Sequence, residues 1–113
     1  MSGQHPLVER INLGGGVHQD DLPMLEANLG SLFSRLSSWP ASSVDIWLRV
    51  KDRDQPGMKT TLEVQVPHLP MLVASSKREP LGAGLDRAAG KMVRKINDAV
   101  EKYGDRGRAS IRK

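Results

Sequence analysis

The 113-residue sequence contains no cysteine. Both a disulfide framework and a thiolate metal site are therefore excluded. The three histidines, His5, His18 and His68, share no metal-ligand spacing, so we assign no metal site and no cofactor. Because nothing in the composition requires an oxidising compartment, we expect a cytoplasmic protein.

Long apolar runs are also missing. No window approaches the ~18 continuous apolar residues of a membrane span, and the N-terminal MSGQHPLVER lacks the apolar core of a secretory signal. Hydrophobic residues make up 38% and charged residues 27% of the chain, as in globular proteins. We expect one α+β domain over residues 1–103, a flexible basic tail at 104–113, and no membrane partner.

Motifs for catalysis are absent as well. Serine, histidine and aspartate occur, but no nucleophile motif accompanies them. The glycines Gly14–Gly16 follow a predicted strand without the Lys-Ser/Thr of a phosphate-binding loop, so we interpret them as a turn. The sequence predicts neither an enzyme nor a small-molecule substrate.

The spacing of apolar residues predicts six elements in the order β-α-β-β-β-α. They lie at residues 7–13, 20–38, 44–51, 58–66, 71–76 and 79–103. The hairpin of the second and third strands turns at DRDQPG. This order is typical of a two-layer α+β sandwich, with both helices on one face of a four-stranded antiparallel sheet.

Positive charge is concentrated at the C-terminal end. Residues 1–43 hold two Lys/Arg against four Asp/Glu, residues 44–76 hold four against four, and residues 77–113 hold eleven against five. A field of one sign at one end indicates a polyanionic partner, such as a nucleic acid or an acidic surface. A solvated basic helix with a loose tail is the alternative interpretation.

The last helix separates its apolar residues from its cations. At ~100° per residue, one sector collects the predicted core residues Leu85, Ala88, Ala89, Met92, Ile96, Ala99, Val100 and Tyr103. The opposite sector collects the cations Arg87, Lys91, Arg94, Lys95 and Lys102. Lys77 and Arg78 before the helix, and Arg106, Arg108, Arg112 and Lys113 after it, extend this positive track.

Two side chains have local alternatives to contact with a partner. Arg94 can pair with Asp98 four residues later, although such pairs contribute only ~0.2–0.5 kcal/mol. Trp47 falls on the polar side of its strand, where it either packs against cross-strand Thr61 or Lys59 or contacts a partner.

The sequence resembles the hibernation promoting factor family, also called protein Y or ribosomal subunit interface protein, in its short form. The resemblance covers roughly residues 7–103. It is carried by the element order, by the strand pair VDIWLRVKD and KTTLEVQV, and by Gly84-Leu85-Asp86 followed by Lys91 and Arg94-Lys95-Ile96.

The resemblance implies a fold like that of double-stranded RNA-binding domains. It also implies binding to the small ribosomal subunit in the channel for mRNA and tRNA, contact with rRNA, and inhibition of translation under stress or in stationary phase. The rRNA-contacting role falls on Lys91 and Arg94, with Lys95 and Arg87 beside them. Family members usually carry cations on the first helix too, where this chain has only Arg35.

Two other functions remain open from the sequence. One is a regulatory module that docks its basic helix on an acidic protein, such as a transcription factor, with Trp47 in the contact. The other is generic duplex-RNA binding, which would give equal affinity for any A-form helix.

Overall fold

A computed structural model describes residues 6–104 and contains one four-stranded sheet. Its strands, in spatial as well as chain order, are β1 (Ile11–Leu13), β2 (Asp45–Lys51), β3 (Lys59–Gln65) and β4 (Leu72–Lys77). The predicted hairpin is confirmed, because β2 and β3 are antiparallel with Lys51 opposite Lys59. The prediction of a wholly antiparallel sheet is wrong: β1 runs parallel to β2, so the sheet is mixed.

The first strand is shorter than the predicted span of 7–13. Residues Pro6–Arg10 form a 3-10 helix instead. Leu7 and Val8 are consecutive and each is only 2% exposed. Because neighbouring residues in a strand point to opposite faces, a strand with one wet face could not bury both. The 3-10 helix directs both side chains into the core.

The first predicted helix is divided into two. They are α1 (Leu22–Asn28) and α2 (Gly30–Leu36), preceded by a 3-10 turn at Gln19–Asp21. The break is at Leu29, whose φ of −107° and ψ of 15° leave the helical region. Gly30 follows, and glycine is a poor helix former because its backbone loses much conformational freedom. The break does not expose the chain to solvent, since Leu29 is still 0% exposed.

The last helix, α3 (Leu81–Ala99), approaches the sheet closely. It ends in a π-helical turn at Val100–Gly104. A Cβ at Gly84 would lie 3.0 Å from the Thr60 Oγ1 of β3, so glycine permits this approach. The predicted core residues of α3 are buried up to Ala99, whereas Val100 is half-buried.

Tyr103 is the one predicted core residue of α3 that the structure exposes. It is 41% exposed, and the Lys102 ammonium lies 5.6 Å from its ring centroid. The prediction of a buried Tyr103 is wrong because the π-helical turn advances residues by less than 100° and ends the regular spacing.

The core lies between the sheet and the helices, which pack on one face of it. Ile46 and Leu48 of β2 and Leu62 and Val64 of β3 alternate inward and are fully buried, as the sequence predicted. This confirms the α+β two-layer fold, with three helices where two were predicted. Within residues 6–104, no helix combines the length and the apolarity that crossing a membrane requires.

An ion pair joins the start of the helical layer to the β2–β3 turn. Arg53 donates to both carboxylate oxygens of Asp21, at 2.7 and 2.8 Å, and also to the Gly16 carbonyl oxygen. The hydrogen bond from Arg53, helped by one from the His18 backbone N–H, lowers the pKa of Asp21 to about 2. The pair therefore stabilises the folded chain while Asp21 is ionised.

Gly16 should be required for the loop after β1 to pack closely against β2. Its φ of 79° is in the left-handed region, and a Cβ there would collide with the Val50 carbonyl oxygen. We expect Gly16→Ala to lower the free energy of unfolding by more than ~1 kcal/mol in urea denaturation. Gly15→Ala is the matched control, because a Cβ at Gly15 meets nothing within 4 Å. Equal stability of the two variants would contradict this role.

The Asp21–Arg53 pair predicts a pH-dependent stability. Because the folded pKa lies below the ordinary value of 3.8, the stabilisation is complete above that value and is lost as the pH falls towards 2. Asp21→Asn should therefore lower the free energy of unfolding by about 2 kcal/mol at pH 7. The difference from wild type should shrink at pH 2 to 3. Asp20→Asn serves as the control, and a pH-independent difference would rule out the linkage.

Candidate nucleic-acid interface

The basic sector of the last helix faces outward because the opposite side of α3 is buried. We call this sector the α3 ridge, and it consists of Arg87, Lys91, Arg94, Lys95 and Lys102. Leu85, Met92 and Ile96 are fully buried against the sheet and the other helices. On the outward side Arg94 and Lys95 are exposed, as the helical spacing predicted. The sequence thus predicted the direction of these side chains correctly, but their partners differ from one cation to the next.

Arg87 is held by a carboxylate at the base of the helix. Its Nε donates to Glu79 at 3.0 Å (Oε1) and 2.8 Å (Oε2), and the buried Ser76 hydroxyl donates to Oε1 at 2.9 Å. These hydrogen bonds, that of Arg87 first, lower the pKa of Glu79. Arg87 is therefore fixed in place, and much of its charge is neutralised within the chain.

Lys91 contacts the backbone of the sheet edge. It is half-buried, and its Nζ donates to the Ser75 carbonyl oxygen of β4 at 2.8 Å. β4 is an outer strand of the sheet, so some of its backbone groups have no strand partner. A carbonyl oxygen orients the ammonium without cancelling its charge, and Lys91 therefore keeps a positive charge at the junction of α3 and β4.

Arg94 and Lys95 are the exposed cations of the ridge with the fewest internal constraints. The ion pairs of the described residues involve Arg10, Arg49, Arg53 and Arg87, and none joins Arg94 to Asp98. The predicted Arg94–Asp98 pair is therefore wrong. Both side chains are available to an external anion, whereas Lys102 at the end of α3 lies over the ring of Tyr103.

The two cations predicted to extend the ridge before α3, Lys77 and Arg78, lie on different surfaces of the protein. Arg78 is exposed, with a φ of 62°, and connects β4 to α3. Lys77 points to the outer face of the sheet, away from the helices, because its neighbour Ser76 is the inward residue. The four predicted tail contacts lie outside the described residues: Arg106, Arg108, Arg112 and Lys113.

Two cations that the sequence pattern did not single out lie in line with Lys77. Lys51 is opposite Lys59 across β2–β3, and Lys59 is opposite Lys77 across β3–β4. We call these three residues the lysine row. The alternation of the hairpin could have placed Lys51 beside Lys59, but the register of β4 was needed to add Lys77.

The only basic residue of the first two helices has an internal role. Arg35 donates to the Asn97 side chain on α3 and to the Ser38 hydroxyl, and its guanidinium lies 5.4 Å from the Trp39 ring centroid. Arg35 thus connects α2 to α3 and the following loop. It does not replace the first-helix cations that the resemblance leads one to expect.

Trp47 is half-buried on the outer face of the sheet. Its cross-strand neighbours are Asn12 on β1 and Glu63 on β3. The predicted pairing is therefore wrong, by two residues for Thr61 and by four for Lys59. Because the helices cover the other face, Trp47 and the α3 ridge are on opposite sides of the molecule. One flat partner surface cannot contact both.

The described residues contain no group of three or more histidine or acidic side chains placed to hold a metal ion. The exposed cations of α3 present guanidinium and ammonium groups, which bind anions. Lysine binds phosphate as a point charge, and arginine can bind it through two parallel hydrogen bonds.

Lys91 and Lys95 should differ in their effect on stability. Lys91→Met removes the half-buried hydrogen bond to Ser75, so the free energy of unfolding should fall by ~1 kcal/mol. Lys95→Met removes an exposed ammonium and should change it by less than ~0.5 kcal/mol. Urea denaturation of both variants at neutral pH measures this, and equal losses would contradict a structural role for Lys91.

Comparison with known proteins supports the fold. No family model and no curated protein matches the sequence. Among solved structures, the chain is similar to the crystal structure of the Thermus thermophilus Protein Y N-terminal domain, with a TM-score of 0.55 and 15% identity. The match covers 74% of this chain and 90% of that chain. The fold of this protein is therefore Protein Y-like.

Proposed function

We propose that this protein is a hibernation factor that binds the small ribosomal subunit and inhibits translation under stress or in stationary phase. The observation that carries the proposal is the pair of exposed cations Arg94 and Lys95, which have no ion-pair partner among residues 6–104. The Protein Y-like fold and the sequence resemblance support the ribosome as the partner.

The proposed mechanism is electrostatic and needs no catalysis. Cations that neutralise phosphates release the counterions of the nucleic acid, and this release drives binding. Because the apolar side of α3 is buried, the backbone positions of Arg94 and Lys95 are fixed before they bind. rRNA in the mRNA and tRNA channel is the proposed target, and a protein bound there would block translation by occupancy.

The remaining predicted contact residues would contribute unequally to binding. Lys91 supplies a charge that Ser75 already orients, and Arg87 contributes less because Glu79 neutralises it. Lys102 and Arg78 would extend the contact at either end of α3. The tail cations Arg106, Arg108, Arg112 and Lys113 would add phosphate contacts, and residues 1–103 would form the binding domain.

Charge removal at Arg94 and Lys95 tests the proposal. We expect Arg94→Gln with Lys95→Gln to weaken cosedimentation with purified small ribosomal subunits. The slope of log K against log salt should fall in magnitude by about 1.5, because two phosphate contacts are lost. The folded state should be unaffected, since both side chains are exposed.

The matched control lowers the net charge by the same two units, by adding acidic residues to the other helices. Ala27→Glu with Ser31→Glu alters exposed positions of α1 and α2 and should change the slope less. Competition with an unrelated RNA duplex separates the proposal from generic duplex binding, which predicts equal affinity. Wild-type protein that fails to cosediment, or that does so without salt dependence, would refute the proposed function.

A further inference from the structure

The lysine row is an arrangement that the fold does not require. Lys51, Lys59 and Lys77 occupy directly opposed positions on three neighbouring strands. Adjacent strands lie ~4.8 Å apart, so the three side chains begin within ~10 Å of one another. Like charges that face each other across strands destabilise a sheet. The row therefore weakens the sheet unless a counter-charge is present.

No carboxylate among residues 6–104 forms an ion pair with the row. Other cations of this outer face are paired: Arg49 lies 2.8 Å from Glu63, and Arg10 lies 3.1 Å from Asp45. Within residues 6–104 the lysine row takes part in no ion pair, although Asp52 lies beside it. The contrast between these cations indicates that the row meets an anion from outside.

The surface around the row is open, and it is mainly polar on the side of Lys77. Two shallow grooves, of about 380 and 300 Å³, share Lys51 and Lys59 in their lining. Thr61 and Gly15 line the first groove, while Lys77 and Arg78 line the second. The second groove therefore presents three ammonium groups and the exposed Arg78, together with the single carboxylate of Asp52.

We propose that the lysine row is a second RNA-binding surface, which contacts the phosphate backbone of an RNA segment other than the one at α3. This inference rests on the proposed function, because it names RNA as the partner. The row and the α3 ridge lie on opposite sides of the edge strand β4. Since one RNA strand cannot lie flat on both, the protein is held between two RNA segments.

The chemistry of the row favours RNA over an acidic protein. Protein interfaces are enriched in aromatic residues and depleted in lysine at their centre. The nearest large apolar residues of the outer face, Trp47 and Val73, lie four residues along their strands from Lys51 and Lys77. That separation is ~13 Å, so the row itself offers charge without an apolar anchor.

The test compares three double variants of the full chain that each lower the net charge by two. Lys59→Gln with Lys77→Gln changes the row, Arg94→Gln with Lys95→Gln changes the ridge, and Ala27→Glu with Ser31→Glu is the control. The row variant should unfold in urea at an unchanged or higher midpoint, because it relieves repulsion. Its salt slope for small ribosomal subunits should fall in magnitude by about 1.5.

The lysine row and the α3 ridge should contribute additively to the salt dependence of binding. Combining the row and ridge substitutions should lower the slope by the sum of the separate losses, because the sites are distant and share no partner. The row defect should persist when protein-free small-subunit rRNA replaces the intact subunit. A defect seen only with intact subunits would instead assign the row to an acidic protein and overturn the inference.

The failure of this inference is distinguishable from failure of the proposed function. If wild type binds with salt dependence and the ridge variant is weakened, but the row variant matches the control, the row is not an RNA site and the proposed function stands. If wild type does not bind small subunits at all, the proposed function itself is wrong.

Discussion

Burial of one side of α3 against β3, β4 and the other helices is the constraint on which the surface of this protein depends. Gly84 allows the helix to approach Thr60 closely, and Leu85, Met92 and Ile96 fill the space between the layers. Once that side is fixed, Arg94 and Lys95 on the opposite side of the helix point outward, while Lys91 between the two sides reaches the edge of the sheet. The direction of the cations is therefore a consequence of core packing.

Packing of the core sets the direction of the α3 cations, but the polar groups beside each cation determine how much of its charge is neutralised within the chain. Glu79 neutralises Arg87, the Ser75 carbonyl oxygen orients Lys91, and Arg94 has no ion-pair partner among the described residues. A count of cations along α3 would treat all of these as equal. The structure instead divides them into residues that stabilise the junction of α3 with β4 and residues that can bind a partner.

The two faces of the sheet have different roles in this arrangement. The inner face is apolar and holds the helices, whereas the outer face carries paired charges, half-buried Trp47 and the lysine row. β4 contributes to both faces. Lys91 contacts its Ser75 carbonyl oxygen from the helical side, and Lys77 extends from the outer face. Lys77, Arg78 and Lys91 therefore all lie at or beside this edge.

Most of the fold could be predicted from the sequence, because β2, β3 and α3 have regular apolar spacing. The errors fall where the spacing of apolar residues is ambiguous. Leu7 and Val8 are compatible with a strand or with a 3-10 helix, and Gly30 alone indicates only weakly that the first helix is broken. The outward direction of the ridge followed from periodicity in the same way. The parallel pairing of β1 did not, because strand neighbours are chosen by contacts distant in the chain.

The sequence by itself determined the order of the elements, the buried side of each and the cations that α3 displays, since these depend on periods of two or 3.6 residues. Only the tertiary structure decided that Glu79 meets Arg87, that Lys91 reaches Ser75 and that Lys77 aligns with Lys51 and Lys59. The physical reason is that these contacts depend on strand register and on the position of the helix over the sheet. Neither is encoded in any local pattern.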